Sequence, residues 1–178
     1  SDWGYAISCV PPKGEARLCE AEPITIRREI KPISVTHYDT LAFARESTAV
    51  GAAPVADTVR KNVYVFDFGI NSAGVTRLHI NGKPGQRITI RHGEHLVNGE
   101  FDIQTTMFTT PEWKRDLYYE YGQCDVYIAR GGDEVFTPRF KYDGFRYAYV
   151  EGLLSEQIGD NTLTFLEMTG KLTQRASF

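Results

Sequence analysis

The sequence predicts an all-β protein in which two antiparallel sheets pack face to face as a β-sandwich of the jelly-roll type. Three observations support this fold class. Short stretches rich in β-branched and aromatic residues recur along the chain, and most alternate apolar with polar side chains. Turn-forming segments such as Asn81–Gly85 and Gly131–Asp133 separate them. Almost no stretch has the period of an amphipathic helix.

The length, charge and cysteine spacing of the chain argue against several classes of function. A chain of 178 residues can bury one sizeable core. A net charge of -3 gives no basic surface, which argues against nucleic acid as the main partner, and no apolar run is long enough to span a membrane. The three cysteines, Cys9, Cys19 and Cys124, lack metal-site spacing, so free thiols are favoured. Without an initiator Met or an apolar leader, we expect a processed product or a piece of a longer protein.

The N-terminal third contains the first predicted strands. Residues 1–22 are interrupted by Pro and Gly and are expected to form an irregular linker from a preceding domain, followed by a β-sandwich domain over residues 23–178. Ile24–Ile30 and Ile33–Tyr38 are predicted as strands. Thr40–Lys61 has no clear period and is predicted as a surface loop, with a turn of helix near its start.

The central stretch predicts two strands joined by a turn. Val63–Gly69 carries apolar side chains on both faces, as in a strand buried between two layers. Glycines and an asparagine then predict a turn before a second strand, Val75–Asn81. Asp67 interrupts the apolar run, and a charge in such a position is costly unless it is paired.

A structural polar network is predicted around Asp67. Its expected partner is Arg139 or Arg146, which lie among aromatic residues much later in the chain. Asn71 is expected to shape the turn. The oxygens of Asp67 and Asn71 also suit calcium, but two oxygens are far fewer than the 6–8 that calcium takes, so the structural interpretation is favoured.

The remaining strands follow in close succession. A long connection without its own pattern, Glu100–Gln123, separates the first of them from the rest. The predicted strands are Arg87–Leu96, Cys124–Arg130, Glu134–Tyr142, Phe145–Gly152 and Thr162–Thr169.

Two groups of residues are candidates for contact with a carbohydrate or with a neighbouring domain. His92 and Glu94 share the apolar face of their strand near its end, either as a polar cluster at the rim or as a hydrogen-bonded pair closing the core, and the second is favoured. Aromatic rings stack on sugars and fill interface pockets, but they also cover cores. The candidate aromatic residues of the long connection are Phe108, Trp113, Tyr118, Tyr119 and Tyr121.

No catalytic residue is predicted. A glycosidase needs two carboxylates roughly 5–10 Å apart, one with a raised pKa. The sequence places no such pair together, and it lacks serine-hydrolase, zinc-protease and phosphate-loop motifs. We also predict no metal site and no cofactor, with calcium alone left open.

Four ordered blocks of the sequence, which begin at Tyr64, Ile88, Cys124 and Phe136, resemble motifs of bacterial α-L-rhamnosidases. Tyr64–Val75 (YVFDFGINSAGV) is similar to a motif of that family, although Ile70 stands where the family often has Gln. The other three blocks, in the order expected for the family, are Ile88–Leu96 (ITIRHGEHL), Cys124–Gly132 (CDVYIARGG) and Phe136–Leu153 (FTPRFKYDGFRYAYVEGL). The resemblance covers about Glu20 to Phe178, so it concerns most of the chain.

The resemblance implies a concanavalin-like β-sandwich domain that precedes an (α/α)6-barrel. The catalytic carboxylates of the family belong to that barrel, which would follow residue 178 here, so none is carried over to this chain. The implied partners are the barrel of the parent enzyme and a rhamnose-containing glycan, with self-association left open and a periplasmic or secreted location preferred. The alternatives are a self-standing carbohydrate-binding module and a structural linker domain.

Overall fold

The computed structural model is built almost wholly of β-strands, which confirms the predicted fold class. It describes residues 7–11, 13–15, 17–44, 59–97, 100–102 and 123–171. The described residues contain ten strands, numbered β1 to β10 in chain order: Ile24–Ile30, Ser34–Ala44, Val59–Gly82, Arg87–Gly93, His95–Val97, Glu100–Asp102, Cys124–Ile128, Gly132–Phe136, Asp143–Glu151 and Leu163–Gly170. A single 3-10 turn, Ser155–Gln157, lies between the last two.

The 24-residue strand β3 connects the two halves of the structure. Its first half lies between β2 and β9, and its second half lies between β10 and β8. The register of β3 against β9 shifts between Asp67 and Ser72, because the partner of Asp67 is Tyr147 while the partner of Ser72 is Phe145. Such a bulge bends a strand and increases its twist, so one hydrogen-bonded sheet curls over a shared core.

The strand order from one end of the sheet is β5-β6-β2-β3-β9-β4-β7, with β8, β10 and β1 attached through the second half of β3. Every described pairing is antiparallel except β2 with β6. Strands β4 and β9 lie in the interior of this order and are therefore flanked on both edges.

The core lies inside the curl. Phe165 of β10 packs against Phe68 of β3 and Phe145 of β9, with ring centroids 5.5 and 4.2 Å apart. Tyr127 of β7 stacks on Phe136 of β8, which joins one end of the sheet to a strand attached through the second half of β3. These contacts bring together strands that are far apart in sequence, so the core depends on the curl.

Several sequence-based boundaries were wrong. The predicted loop Thr40–Lys61 begins and ends as strand, because β2 runs to Ala44 and β3 begins at Val59, and the expected helical turn near its start is strand. The predicted turn between two central strands is the bulge of one continuous strand. The predicted strand Glu134–Tyr142 ends at Phe136, and β9 begins at Asp143 where a turn was expected.

The remaining observations concern the termini and membranes. The described residues between positions 7 and 22 form no strand or helix and are exposed. No helix in the described part of the chain has the length and apolar character needed to cross a membrane.

Candidate functional site

A buried group of charged side chains lies where β4 ends and where β7 and β9 begin. We call His92, Asp125, Lys141 and Asp143 the charged cluster. His92 is contributed by β4, Asp125 by β7 and Asp143 by β9, while Lys141 belongs to the segment that precedes β9. The pairings of β4 with both β7 and β9 bring these strand ends together.

Lys141 bridges the two carboxylates of the charged cluster. Its Nζ lies 3.0 Å from Oδ1 of Asp125 and 2.8 Å from Oδ2 of Asp143. Both carboxylates are buried, whereas the lysine side chain is 30% exposed. A buried carboxylate without a cation would be costly, so Lys141 provides charge that the fold requires at this point.

The two ring nitrogens of His92 face different partners. Its Nδ1 faces two acceptors, the backbone oxygen of Gln123 at 3.1 Å and Oδ2 of Asp143 at 3.2 Å. Its Nε2 lies 3.2 Å from Oγ1 of Thr76. Because neither of these acceptors carries a proton to donate, Nδ1 carries a hydrogen, whereas the threonine hydroxyl that faces Nε2 can either donate or accept.

The cluster shifts two pKa values in opposite directions. Burial alone would raise the pKa of Asp143, but the hydrogen bond from His92 and the contact with Lys141 outweigh burial and lower that pKa. Burial alone would lower the pKa of Lys141, but the hydrogen bond to Asp143 and the charges of Asp125 and Asp143 outweigh it and raise that pKa. Both shifts favour the charged forms, as expected for a stable ion-pair network.

The same cluster has the residue types of a metal site. His92, Asp125 and Asp143 can each offer one ligand atom, and these atoms lie within 4.8 Å of one another. The ammonium group of Lys141, however, already lies between the two carboxylates. An ion held here would face a fixed positive charge and would have only three ligands, which fits poorly with calcium.

A second polar pair near the same strand ends consists of Asn71 and Glu94, both of which the sequence analysis singled out. Nδ2 of Asn71 lies 3.4 Å from Oε1 of Glu94, a long hydrogen bond between an exposed amide and a partly buried carboxylate. The carboxylate partner of His92 is therefore Asp143 rather than Glu94. Proximity in sequence suggested the pair His92 and Glu94, whereas tertiary contacts give each a different partner.

Asp67 is bound by Arg146. The guanidinium group donates from Nε and Nη2 to the two carboxylate oxygens at 2.8 and 2.9 Å, and the backbone N–H of Gly69 donates to Oδ1 at 2.7 Å. The hydrogen bonds from Arg146 are the main reason why the pKa of Asp67 is lowered. Arg139, the other candidate partner, is exposed and takes no part in this contact.

The aromatic candidates Phe108, Trp113, Tyr118, Tyr119 and Tyr121 lie outside the residues that the structure describes. Their predicted role in contact with a sugar or a neighbouring domain therefore stays a prediction. The described Gln123, at the end of their segment, contacts the charged cluster through its backbone oxygen.

Sequence reasoning missed Asp125, Lys141, Asp143 and Glu134. Asp143 was interpreted as a turn residue, and the others had no visible partner within their own segments. Alternation gave no signal for Asp125, because the apolar Val126 and Ile128 on the other face of β7 are the exposed residues of that strand. Without the strand order, no partner could be assigned to it.

The carboxyl group of Glu134 has a pKa far below its ordinary value. It accepts hydrogen bonds from the hydroxyl of Tyr127 at 2.6 Å and from the backbone N–H groups of Arg130 and Gly131 at 3.0 and 2.9 Å. These donors lower the pKa of Glu134 from 4.5 to about 2. The residue thus holds the turn between β7 and β8 in place.

The strand order and the curled antiparallel sheet define an all-β domain. The sequence model of the bacterial α-L-rhamnosidase concanavalin-like domain matches residues 57–169. The chain belongs to this family, which confirms the resemblance found in the sequence.

Individual relatives agree with this assignment. The chain is 33% identical over 161 residues to an α-L-rhamnosidase of Formosa agariphila, a match that covers 90% of this chain and 14% of that protein. It is 32% identical over 94 residues to an α-L-rhamnosidase of Streptomyces avermitilis, covering 52% of this chain and 8% of that protein.

Solved structures show the same architecture. The α-L-rhamnosidase of Dictyoglumus thermophilum superposes with a TM-score of 0.57 at 26% identity, over 84% of this chain and 13% of that one. The α-L-rhamnosidase of Streptomyces avermitilis, complexed with L-rhamnose, also gives a TM-score of 0.57, at 25% identity over 85% of this chain and 12% of that one. The chain therefore spans about one seventh or less of these relatives.

Proposed function

We propose that this chain is a non-catalytic domain of an α-L-rhamnosidase and that it supports the (α/α)6 catalytic barrel of the parent enzyme. In that enzyme, a general acid on the barrel would protonate the leaving oxygen while a general base activates water. The chain described here would contribute neither group.

The observation that supports this proposal most directly is the state of the carboxyl groups. A glycosidase acid must keep its proton near neutral pH, which requires a raised pKa. Within the described residues, the carboxyl groups whose pKa clearly departs from its ordinary value all have a lowered pKa. These groups are Glu29, Asp67, Glu134, Asp143, Glu156 and Glu167. Carboxylates held ionised in this way stabilise a fold and are poor proton donors.

The contacts of these carboxylates support a scaffold role as well. Glu167 of β10 is bound by Arg28 of β1 at 2.6 Å and by Ser72 of β3 at 2.8 Å. The Asp67–Arg146 pair connects β3 to β9 in the same manner. The polar groups thus tie neighbouring strands together and are already occupied by partners within the chain.

The test of the proposal is an activity measurement on the isolated chain. We expect no release of nitrophenol from 4-nitrophenyl α-L-rhamnoside above the rate in buffer, whereas the full-length enzyme that carries this domain should hydrolyse it. Hydrolysis by the isolated chain that disappears on substitution of one of its own carboxylates would refute the proposal.

A self-standing carbohydrate-binding module is the second candidate, and an open cleft of about 570 Å³ favours it. The cleft is lined by polar side chains suited to sugar hydroxyls, including His79, Asp133, Gln157 and Asn161. Titration calorimetry with L-rhamnose, with and without calcium, distinguishes the two functions. Heat of binding that is lost in Asp133→Ala but kept in Asp39→Ala, an exposed aspartate on β2, would favour the binding module.

A further inference from the structure

The segment between β8 and β9 presents two large aromatic side chains to solvent. Phe140 is fully exposed, at 101% of its reference area, and Tyr142 is 59% exposed. Arg139 beside them is also exposed. A four-residue stretch with this composition is typical of a protein interface, where aromatic residues and arginine are enriched relative to the rest of the surface.

The residue between these aromatic side chains is anchored. Lys141 forms its two ion pairs with Asp125 of β7 and Asp143 of β9, so the backbone that carries Phe140 and Tyr142 is tied to two strands. Because the segment is held before any partner arrives, less conformational entropy is lost on binding. The charged cluster thus fixes the position of the exposed rings.

We propose that Phe140 and Tyr142 form a docking knob that inserts into an apolar pocket with an acidic rim on another domain of the same polypeptide. This inference rests on the proposed function, in which the chain packs against the remainder of a longer rhamnosidase. It adds the surface through which that packing occurs.

The identity of the partner is argued from size and charge. The chain covers only 14% of the length of its relative from Formosa agariphila, so a domain of this family occurs in a polypeptide with much additional protein surface. The positive charge of Lys141 is neutralised by its two carboxylates, which leaves the exposed Arg139 as the charge that the segment offers to a partner. An acidic rim around the partner pocket would complement it.

A sugar is a poorer occupant for this surface. Sugar and other small-molecule sites are concave and bury most of their ligand. A phenylalanine that is fully exposed projects from its surroundings and has no polar atom with which to orient hydroxyl groups. A projecting ring is suited to fill a pocket on another protein surface.

The experiment is site-specific photo-crosslinking in the full-length enzyme that carries this domain. The photoreactive residue p-benzoylphenylalanine replaces Phe140, or replaces Val135 of β8 as a matched control, which is 58% exposed. We expect irradiation at position 140 to give an intramolecular crosslink that peptide mapping assigns outside residues 1–178, and position 135 to give only background. A crosslink between two copies, or an equal yield at both positions, would overturn the inference.

A second measurement distinguishes the loss of an interface contact from a loss of stability in the domain itself. In the full-length enzyme, Phe140→Ser should increase the rate of thermal inactivation by about tenfold, the effect of losing one interface anchor. In the isolated chain the same change should leave the melting temperature unchanged, because the ring is exposed. The control Val135→Ser should be silent in both proteins. Phe140→Ser that behaves like this control in the full-length enzyme would also overturn the inference.

The two proposals fail in distinguishable ways. If the isolated chain hydrolyses a rhamnoside, the proposed function fails whatever happens at position 140. The docking knob alone is refuted by a different combination of results. In that case the isolated chain is inactive, and deletion of the domain from the full-length enzyme accelerates thermal inactivation. Position 140, however, gives no crosslink, and Phe140→Ser leaves the rate of inactivation unchanged. Binding of L-rhamnose that Phe140→Ser abolishes would replace the knob with a sugar site.

Discussion

At the scale of single residues, Asp67 explains how a charge is accommodated within an apolar strand. The sequence showed that the carboxylate required a cation and narrowed the donor to two arginines. The structure provides Arg146 through two hydrogen bonds and adds the N–H of Gly69, which lies in the bulge. The aspartate therefore stabilises both the pairing of β3 with β9 and the local shape of the bulge.

Replacement of Asp67 tests this double role. We expect Asp67→Ala to reduce the free energy of unfolding by about 1.5–3 kcal/mol, since hydrogen bonds to a charged group are lost. The pair is only partly buried, with side-chain exposures of 17% for the aspartate and 37% for the arginine, so a larger loss is not expected. Urea denaturation measures the difference. The matched control is Asp133→Ala, an exposed aspartate paired with His79, which should stay within about 0.5 kcal/mol of the parent. Equal effects of the two substitutions would contradict this account.

At the scale of elements, β3 determines how the sheet is built. The glycines and the asparagine within β3 predicted a turn, because these residue types are common in the turns that connect strands. In the structure the chain continues as a strand, since β9 and β10 lie on either side of Gly74 and satisfy its backbone. Pairing partners that are distant in sequence thus override the local preference for a turn.

Gly74 is required for the close approach of β10. A side chain at this position would overlap the backbone carbonyl of Leu166, which cannot move aside as a flexible side chain would. We expect Gly74→Ala to lower the free energy of unfolding by about 3 kcal/mol or more, and Gly159→Ala, where space is open, to change it little. Thermal melting followed by circular dichroism measures both. An alanine at position 74 that melts with the parent protein would show that β10 does not pack as described.

At the scale of the whole molecule, several ion pairs of the described residues join different strands, as Arg28 with Glu167 and Asp67 with Arg146 do. The predicted all-β class and the family resemblance are both confirmed, because they depend on local patterns repeated along most of the chain. The charged cluster was not foreseen, because its four residues come from three separate strands and one connecting segment. Only the strand order places them within contact distance.

The lowered carboxyl pKa values predict acid sensitivity of the whole molecule. A carboxyl group whose pKa is lower in the folded state binds fewer protons there than when unfolded, so its contribution is present above the unfolded value and is lost as pH falls through the folded value. The pKa of Glu134 is lowered to about 2, against 4.5 when unperturbed. We therefore expect the free energy of unfolding to fall steadily from about pH 5 towards pH 2.

Urea denaturation at a series of pH values measures this dependence. The variant Glu134→Gln removes a carboxyl group whose pKa is strongly lowered by folding, so its stability should fall less steeply with acid than that of the parent protein, and the two curves should converge near pH 2. A stability that is constant from pH 7 to pH 3 would contradict the prediction, whatever the variant does.

The amino-acid sequence by itself determined the all-β class, the family, most strand positions and the need of Asp67 for a cation. These follow from alternation, turn chemistry and the cost of a buried charge, which are local properties of the chain. The tertiary structure alone decided that β3 is one bent strand, that His92 pairs with Asp143, and that Lys141 supplies the cation for two buried carboxylates. These depend on which strands become neighbours, and a curled sheet brings together residues whose separation along the chain gives no sign of contact.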